Sequence, residues 1–558
     1  MGRLLRSFIK LEGLFSKKAF DASTKDPYPV QRSYLLRLLN KNKSTEYGRR
    51  YNFANIRSEK DFQKHVPINQ YQDLEPYIQK VVNGHENILT SEKVIMFNLT
   101  SGTIDKPKYI PVPDVSRKST AALMRHWMYR TLLDHPAFLD KSLFLISGSS
   151  NEGYTPSKIP YGSFSGLIYN NLPRRTLSSY VLPSMVSEIR NYDLRYFVMA
   201  RLALGKDISF IATPNPLTLI KVAETGIKYQ DEIIRSIHNG CTFNSIDCQI
   251  NAADKLTLDQ INAALKPDRA RAVFLGNVIR KNNRLLPSHS WPHLKVIGCW
   301  LGGSIGYHAD KLSAYYGNVP KRDLGYLASE GCITLPYEDS TASGILALQN
   351  NFCEFMPEES GSDASREVLL SHELQEGKHY RIILTNENGL YRYDINDIIR
   401  VEKFYNATPV LAFVRKAGDV LNITGEKIHV NQLIMAIERL KSAFNISIAQ
   451  FRVAPNMSQV RYDILLGLGQ EVPLQKLADS ILPAFDSFLQ DINIEYALKR
   501  KSGRLNPPCL YIMHPLWEDN VKKKTIESGK RDIQYKWNVI LHELPEIDRK
   551  HILQTVQM

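Results

Sequence analysis

The chain has 558 residues, 43% of them hydrophobic, which is too long for one ordinary core and calls for two or three packed units. Its net charge is +14, and residues 1–60 hold 14 Lys or Arg against 5 Asp or Glu, so +9 of the excess sits in that first stretch. No apolar run approaches the roughly 18 to 20 residues of a spanning helix, and no basic module with interleaved aromatics suggests nucleic-acid binding.

The opening MGRLLRSFIKLEGLFSKKAF places Leu4, Phe8, Leu11 and Phe15 at helical spacing among Arg3, Arg6, Lys10, Lys17 and Lys18. A membrane-surface helix is one reading; we expect this stripe instead to pack on the protein's own core, with no membrane contact. Charges interrupt the apolar positions, which argues against a signal peptide, and Arg6 stands where myristoylation needs Ser or Thr. QRSYLLRLLNKN reads as a helix, and EKDFQKHVPINQYQDLEPYI as short helices broken at Pro67 and Pro76. From about Leu143 strands and helices alternate. FLISG is a strand, VSEIRNYDLRYFVMARLAL a helix, ISFIATPNP a strand with a turn, and LTLIKVAETGIKYQDEIIRSI a helix. LKVIGCW leads into the glycine-rich LGGSIG, and HYRIIL, DIIRVEKF and PVLAFV are β-type runs. After ITGEKIHV come a helix, NQLIMAIERLKSA, two strands, AQFRVAP and VRYDILLGL, and a helix from Leu474 to Leu489.

The expected architecture is therefore α/β: a large N-terminal domain, 1–423, with helix-covered sheets and a β-rich subdomain, followed by a small α+β domain, 424–558. Six cysteines are scattered without a CxxC pair, which suits buried thiols in a reducing compartment, with the cytoplasm as the default. His289 and His293 are four apart, but Pro292 between them disfavours a helical metal pair. GGSIG lacks the spacing of a dinucleotide fingerprint.

The stretch NLTSGTIDKPKYIPV, from Asn98, has the chemistry of an anion cradle. Hydroxyls and N–H groups of Thr100, Ser101 and Thr103 can donate to phosphate oxygens, Gly102 allows close approach, and Lys106 and Lys108 add positive charge. An ordinary polar turn with solvated lysines is the competing reading. No GxxxxGK[ST] occurs, so P-loop chemistry has no support.

TSGTIDKPK resembles the TSGTTGxPK signature of adenylate-forming enzymes, and LGGSIG (301–306), YLASEG (326–331) and YRYDIND (391–397) follow in that superfamily's order. Within it the chain is most similar to the Gretchen Hagen family of auxin-responsive acyl acid amido synthetases and its bacterial relatives. STEYGRRYNFANI, KHVPINQYQDLEPYI, IPYGSFSG, GLYRYDINDIIRV and ITGEKIHVNQL resemble that family's blocks, over about Val30 to Trp537.

The resemblance implies roles for residues at matching positions. Thr100, Ser101, Gly102, Thr103 and Lys108 would form the phosphate loop, with Asp105 where glycine is usual. Gly302, Gly303 and Ser304 would line the adenine and acyl group. In YLASEG, Tyr326 would stack on adenine, Ala328 and Ser329 would line the nucleotide, and Glu330 would hold Mg²⁺. Asp397 would accept hydrogen bonds from the ribose, as an ionised carboxylate suits, although Asn396 stands where glycine is common. Arg415 would contact ribose or phosphate, and a surface arginine is the alternative. Lys536, in QYKW, would reach the α-phosphate, and Lys427 of GEK would assist or mark the hinge. Implied too are ATP and Mg²⁺, a mobile C-terminal lid, and monomers or weak dimers. The activity would be activation of an organic acid as its acyl-adenylate, followed by transfer to an amine such as an amino acid. A thioester-forming acyl-CoA ligase is the alternative reaction, and a non-catalytic, surface-associated nucleotide-binding protein the alternative class.

Overall fold

The computed structural model describes residues 2–100, 108–172, 174–241, 250–302, 309–358, 368–417, 420–424, 426–527 and 535–557. It divides into two compact units, Met1–Phe413 and Val414–Met558.

The first unit is built on three sheets. Ser142–Leu145, Ile208–Ala212, Val296–Gly298 and Lys321–Arg322 form a parallel four-stranded sheet in that order. ISFIA is buried at all its positions, as a strand covered on both faces must be. Its helices begin at side-chain caps. Asn191 accepts the N–H of Leu194 to start Tyr192–Leu204, and Asn215, followed by Pro216, accepts that of Leu217 to start Pro216–Lys228. The cap at Asn191 is why VSEIRNYDLRYFVMARLAL is not one helix: Ser184–Glu188 is a separate short 3₁₀ turn. Likewise the following expected helix is two, Pro216–Lys228 and Gln230–Asn239, meeting at Tyr229.

A second sheet orders Lys108–Pro113, Val94–Thr100, Pro160–Gly162 and Gly153–Tyr154. The third has seven strands. His379–Thr385, Tyr393–Tyr405 and Thr408–Lys416 lie side by side in it, and Ser343–Leu346 borders the last of these. Helices Pro27–Asn42 and Tyr71–Val82 pack into the same core through Leu35, Leu38, Leu74 and Ile78. Pro76 lies inside Tyr71–Val82 and does not break it, contrary to expectation. The proline removes one helical N–H donor, but burial of Leu74, Tyr77, Ile78 and Val81 on one face holds the helix together.

The N-terminal helix, Gly2–Lys25, packs differently from the expectation. Ile9 is buried, Gly13 lies so close to Tyr129 that an added Cβ would meet its ring at 2.0 Å, and Phe20 packs on His126 and Tyr337 at 5.0 and 5.8 Å. The expected stripe faces water instead: Phe8 is 53%, Leu11 61% and Phe15 73% exposed, while the side chain of Leu4 lies outside the described residues. No helix among the described residues is long and apolar enough to cross a membrane.

The second unit sets Val430–Phe444 and Leu482–Ile492 against a four-stranded sheet of Ile448–Asn456, Arg461–Leu468, Cys509–Met513 and Ile552–Gln557. The buried Arg452 donates to Asp548 at 2.9 and 2.8 Å and lies 3.8 Å from the Trp537 ring, while Trp517 Nε1 donates to Asp548 at 2.6 Å. The described cysteines are all free thiols: Cys241 is exposed, and Cys299, Cys332, Cys353 and Cys509 are buried.

Candidate active site

Strand Val94–Thr100 carries Asn98, Leu99 and Thr100, the first three residues of the anion-cradle motif, and pairs Thr100 with Lys108 in the antiparallel ladder. Ser101, Gly102 and Thr103, with Asp105 and Lys106, lie outside the described residues. Lys108 Nζ sits 5.2 Å from the centroid of the Tyr71 ring, an attractive cation–π arrangement, and the Tyr71 hydroxyl accepts the N–H of Tyr109 at 3.0 Å.

YLASEG is a tight hairpin. Ala328 and Gly331 exchange backbone hydrogen bonds at 3.0 and 3.2 Å, and Ile333 donates to the Tyr326 carbonyl at 2.9 Å, leaving Ser329 and Glu330 at the tip. The tip is held from outside through its carbonyls. The buried Asn98 donates to Ser329 O at 3.3 Å, and Asn386 and Asn388 donate to Glu330 O at 2.8 and 3.0 Å. Asn98, at the head of the anion-cradle motif, thus ties that strand to the hairpin that offers Glu330.

Asp397 reaches the same place through a bulge. Ile383 pairs with Asp394 and Arg381 with Ile398, so Ile395, Asn396 and Asp397 loop out of the ladder. Asn396 has φ +61°, the left-handed region that glycine and asparagine tolerate best, which accounts for asparagine in the usual glycine position. Asp394 anchors the bulge, accepting the N–H of Asn396 at 2.8 Å and pairing with Arg381 at 2.5 Å. The buried Asp397 carboxylate accepts the hydroxyl of Tyr326. Burial, then the charge of Asp397, pushes that phenol well above its ordinary range, so Tyr326 stays a donor. The Tyr326 ring also packs 5.6 Å from Phe413. Tyr393 joins the group: burial, then Glu330, Tyr71, Asp394 and Asp397, raise its phenol. Tyr326 and Asp397 are thus joined by a hydrogen bond and Lys108 lies over Tyr71, and the charges of Glu330 and Asp397 act on the phenols of both Tyr326 and Tyr393.

The glycine-rich turn is joined to the hairpin by a residue the motifs do not reveal. Asp323, buried, accepts the N–H of Leu301 with one oxygen and that of Gly325 with the other, both at 2.6 Å. Its own carbonyl takes the Trp127 Nε1–H at 2.8 Å. Burial pushes its carboxyl up to about 7 against the two donated bonds. Gly302 lies next to this clamp, where an added Cβ would be 3.2 Å from Ala342; Gly303 and Ser304 lie outside the described residues.

In the second unit the buried Arg415 is the last residue but one of strand Thr408–Lys416. Lys427 is exposed, and it is Glu426 beside it that organises the turn. The Glu426 carboxylate accepts from Ile423 N, Thr424 N and Thr424 Oγ1 at 2.9, 3.0 and 2.7 Å, and from the Tyr462 hydroxyl. Burial raises this carboxyl, and donation from Tyr462 and Thr424 outweighs it, leaving it below its ordinary range. Lys536 is exposed between buried Tyr535 and Trp537 in an extended segment. Trp537 Nε1 donates to Phe451 O at 2.8 Å, and Val453 N to Val539 O at 2.7 Å, so the segment is pinned immediately after the lysine. Gln534 lies outside the described residues.

Family models match nearly the whole chain: the GH3 family N-terminal domain over 16–321, its central domain over 344–416 and its C-terminal domain over 431–544. The chain belongs to the GH3 family. Among similar curated GH3 proteins are jasmonoyl–L-amino acid synthetase GH3.5 of Oryza sativa subsp. japonica, 25% identical over 75% of each chain, and indole-3-acetic acid-amido synthetase GH3.2 of Arabidopsis thaliana, 24% identical over 76% of this chain and 81% of that one. The fold is that of the GH3.15 acyl acid amido synthetase in complex with 2,4-DB, with a TM-score of 0.84 at 18% identity over 97% of this chain and 96% of that one. It also matches a 2-hydroxyisobutyryl-CoA ligase with 2-HIB-AMP, at 0.52 and 12% over 93% and 90%. This GH3 chain is accordingly an acyl acid amido synthetase, an ATP-dependent ligase that joins an acyl acid to an amine.

Proposed function

We propose that the cluster around the YLASEG hairpin is where ATP and the acyl acid meet, with residues 1–423 forming the adenylating domain and 424–558 the lid. The observation that carries this reading is the hydrogen bond from Asn98 to Ser329, which ties the phosphate-loop strand to the hairpin bearing Glu330. Thr100, Ser101, Gly102, Thr103 and Lys108 hold the phosphates. Asp397 accepts the ribose hydroxyls. Tyr326, Ala328, Ser329, Gly302, Gly303 and Ser304 surround the base and acyl group, and Arg415 and Lys427 add positive charge.

The donor set fits Mg²⁺. Carboxylates are its preferred ligands, one or two beside substrate phosphates suffice, and Glu330 at the hairpin tip supplies one. Bound there, the ion would neutralise phosphate charge as pyrophosphate leaves.

The acid's carboxylate oxygen attacks the α-phosphorus of ATP. A P–O bond forms, the bond to pyrophosphate breaks, and the acyl-adenylate results. Lys536 offsets the charge gathering on the non-bridging oxygens. An amine then attacks the acyl carbon and loses a proton, and AMP departs to leave an amide. The amine is an amino acid, the reaction runs in the cytoplasm, and the protein works as a monomer or weak dimer without nucleic acid.

The test is direct. Candidate acids are screened by pyrophosphate release with ATP and Mg²⁺, and the active acid is then offered amino acids or coenzyme A, with mass spectrometry of the products. An amide supports the proposal. A thioester as sole product, with every amino acid inert, overturns the choice of acceptor.

A further inference from the structure

Phe8, Leu11, Leu14 and Phe15 are the most prominent apolar feature that the catalytic reading leaves unused. At about 100° per residue, Phe8, Leu11 and Phe15 fall within roughly 60° of one another on the helix. Their exposures are 53%, 61% and 73%, and Leu14 beside them is 59% exposed. The opposite face is fully occupied. Ile9, Gly13 and Phe20 pack inward, Arg6 pairs with Asp140 at 3.3 Å, and Glu12 with Arg125 at 3.2 Å. The helix is thus held firmly by one face, with the outer ridge projecting into water.

That ridge is flanked by cations. Lys10 and Lys18 are exposed, and Lys17, paired with Asp21 at 3.5 Å, lies on the same flank. The match to the family's N-terminal domain begins at residue 16, after all four apolar side chains.

We infer that the outer face of helix Gly2–Lys25 is a docking surface for an anionic lipid interface, into which Phe8, Leu11, Leu14 and Phe15 insert while Lys10, Lys17 and Lys18 meet the headgroups. Charge decides the occupant. Two copies laid ridge to ridge would bring their lysine flanks together, which is repulsive, whereas an anionic bilayer neutralises them. A fluid interface needs no shape complementarity to a single helical ridge and accepts such a face to a depth of about 5–10 Å. This reverses the expectation of a stripe packed on the core.

The experiment uses the full chain and sedimentation with vesicles of phosphatidylcholine alone or mixed equally with phosphatidylglycerol. The parent is expected to bind only the mixed vesicles, less strongly as salt rises. Phe8→Ser/Leu11→Ser/Phe15→Ser is expected to lose binding, and Lys10→Gln/Lys18→Gln to weaken it about 30-fold, since each surface cation contributes about a factor of five. Both variants should keep the parent's thermal midpoint and pyrophosphate release, because these side chains are exposed and outside the site. No binding by the parent, or equal binding by all three proteins, overturns the proposal. A parent dimer in sedimentation velocity that the triple variant abolishes, or binding only to an acidic polypeptide, assigns the face to another occupant and also overturns it.

Discussion

The Asp323 carboxylate accepts the N–H of Leu301 at 2.6 Å, and its second oxygen accepts that of Gly325 at the same distance. One buried side chain thereby sets the spacing between the glycine-rich turn and the hairpin that carries Tyr326 and Glu330. Asp323→Asn keeps the volume but turns one acceptor into a donor facing an N–H, at a cost of about 1–3 kcal/mol. Its carboxyl, pushed up to about 7, is protonated at a pH where the unfolded chain's is ionised. The stability it contributes is complete below the unfolded value near 4 and is lost as pH rises through about 7. Thermal midpoints of parent and variant at several pH values check this: the parent's advantage should shrink as pH rises from 5 to 8, and a constant gap would contradict it.

Asp397 and Glu330 should fail in different ways. Ribose hydrogen bonds exist before and during the reaction, so Asp397→Ala should mainly raise the KM for ATP. Glu330→Ala should mainly lower kcat for pyrophosphate release, by about 10²-fold or more, through a misplaced metal. Equal parental rates at limiting and saturating ATP in both folded variants would remove the assignment.

Lys536→Ala should depress pyrophosphate release by about 10²–10³-fold, the usual loss for one preorganised donor to a developing oxyanion. Amide formation from preformed acyl-adenylate should fall far less. Single-turnover assays of the two half-reactions separate these effects, and equal losses in both would place the lysine elsewhere in the cycle.

The bulge before Asp397 makes a stability prediction. Asn396→Val forces a β-branched residue into φ +61° and should cost about 1–2 kcal/mol or more, while Asn396→Gly should be near neutral. Urea unfolding distinguishes them, and an innocuous valine would mean that the bulge relaxes.

Where the sequence was legible, short-range pattern was the reason. ISFIA is continuous and apolar because both its faces are covered, and the ordered motifs at 98, 301, 326 and 391 mark segments from three different sheets that hydrogen bonds through Asn98, Asp323 and Asp397 tie to the hairpin. Pro76 misled because local breaking power was weighed without the burial of Leu74 and Tyr77 around it. The Phe8, Leu11 and Phe15 periodicity gave a helix with an apolar face, but period alone cannot say whether that face meets protein or water. Asp323, Asn386 and Asn388 escaped notice for a different reason. Each acts through a hydrogen bond to a backbone atom of another loop, and main-chain partners leave no mark on residue type.

The two asparagines at the hairpin tip grip the carbonyl of Glu330, an atom that every amino acid carries. The geometry of the turn and the chemistry of its side chain are thus written in separable parts of one residue. Position 330 can be varied through a series of carboxylates, amides and alcohols while the same two amide donors go on holding the turn. A change of metal preference or reaction rate in such a series would then be attributable to the side chain alone, whereas the same series at Asn386 or Asn388 would move the turn itself.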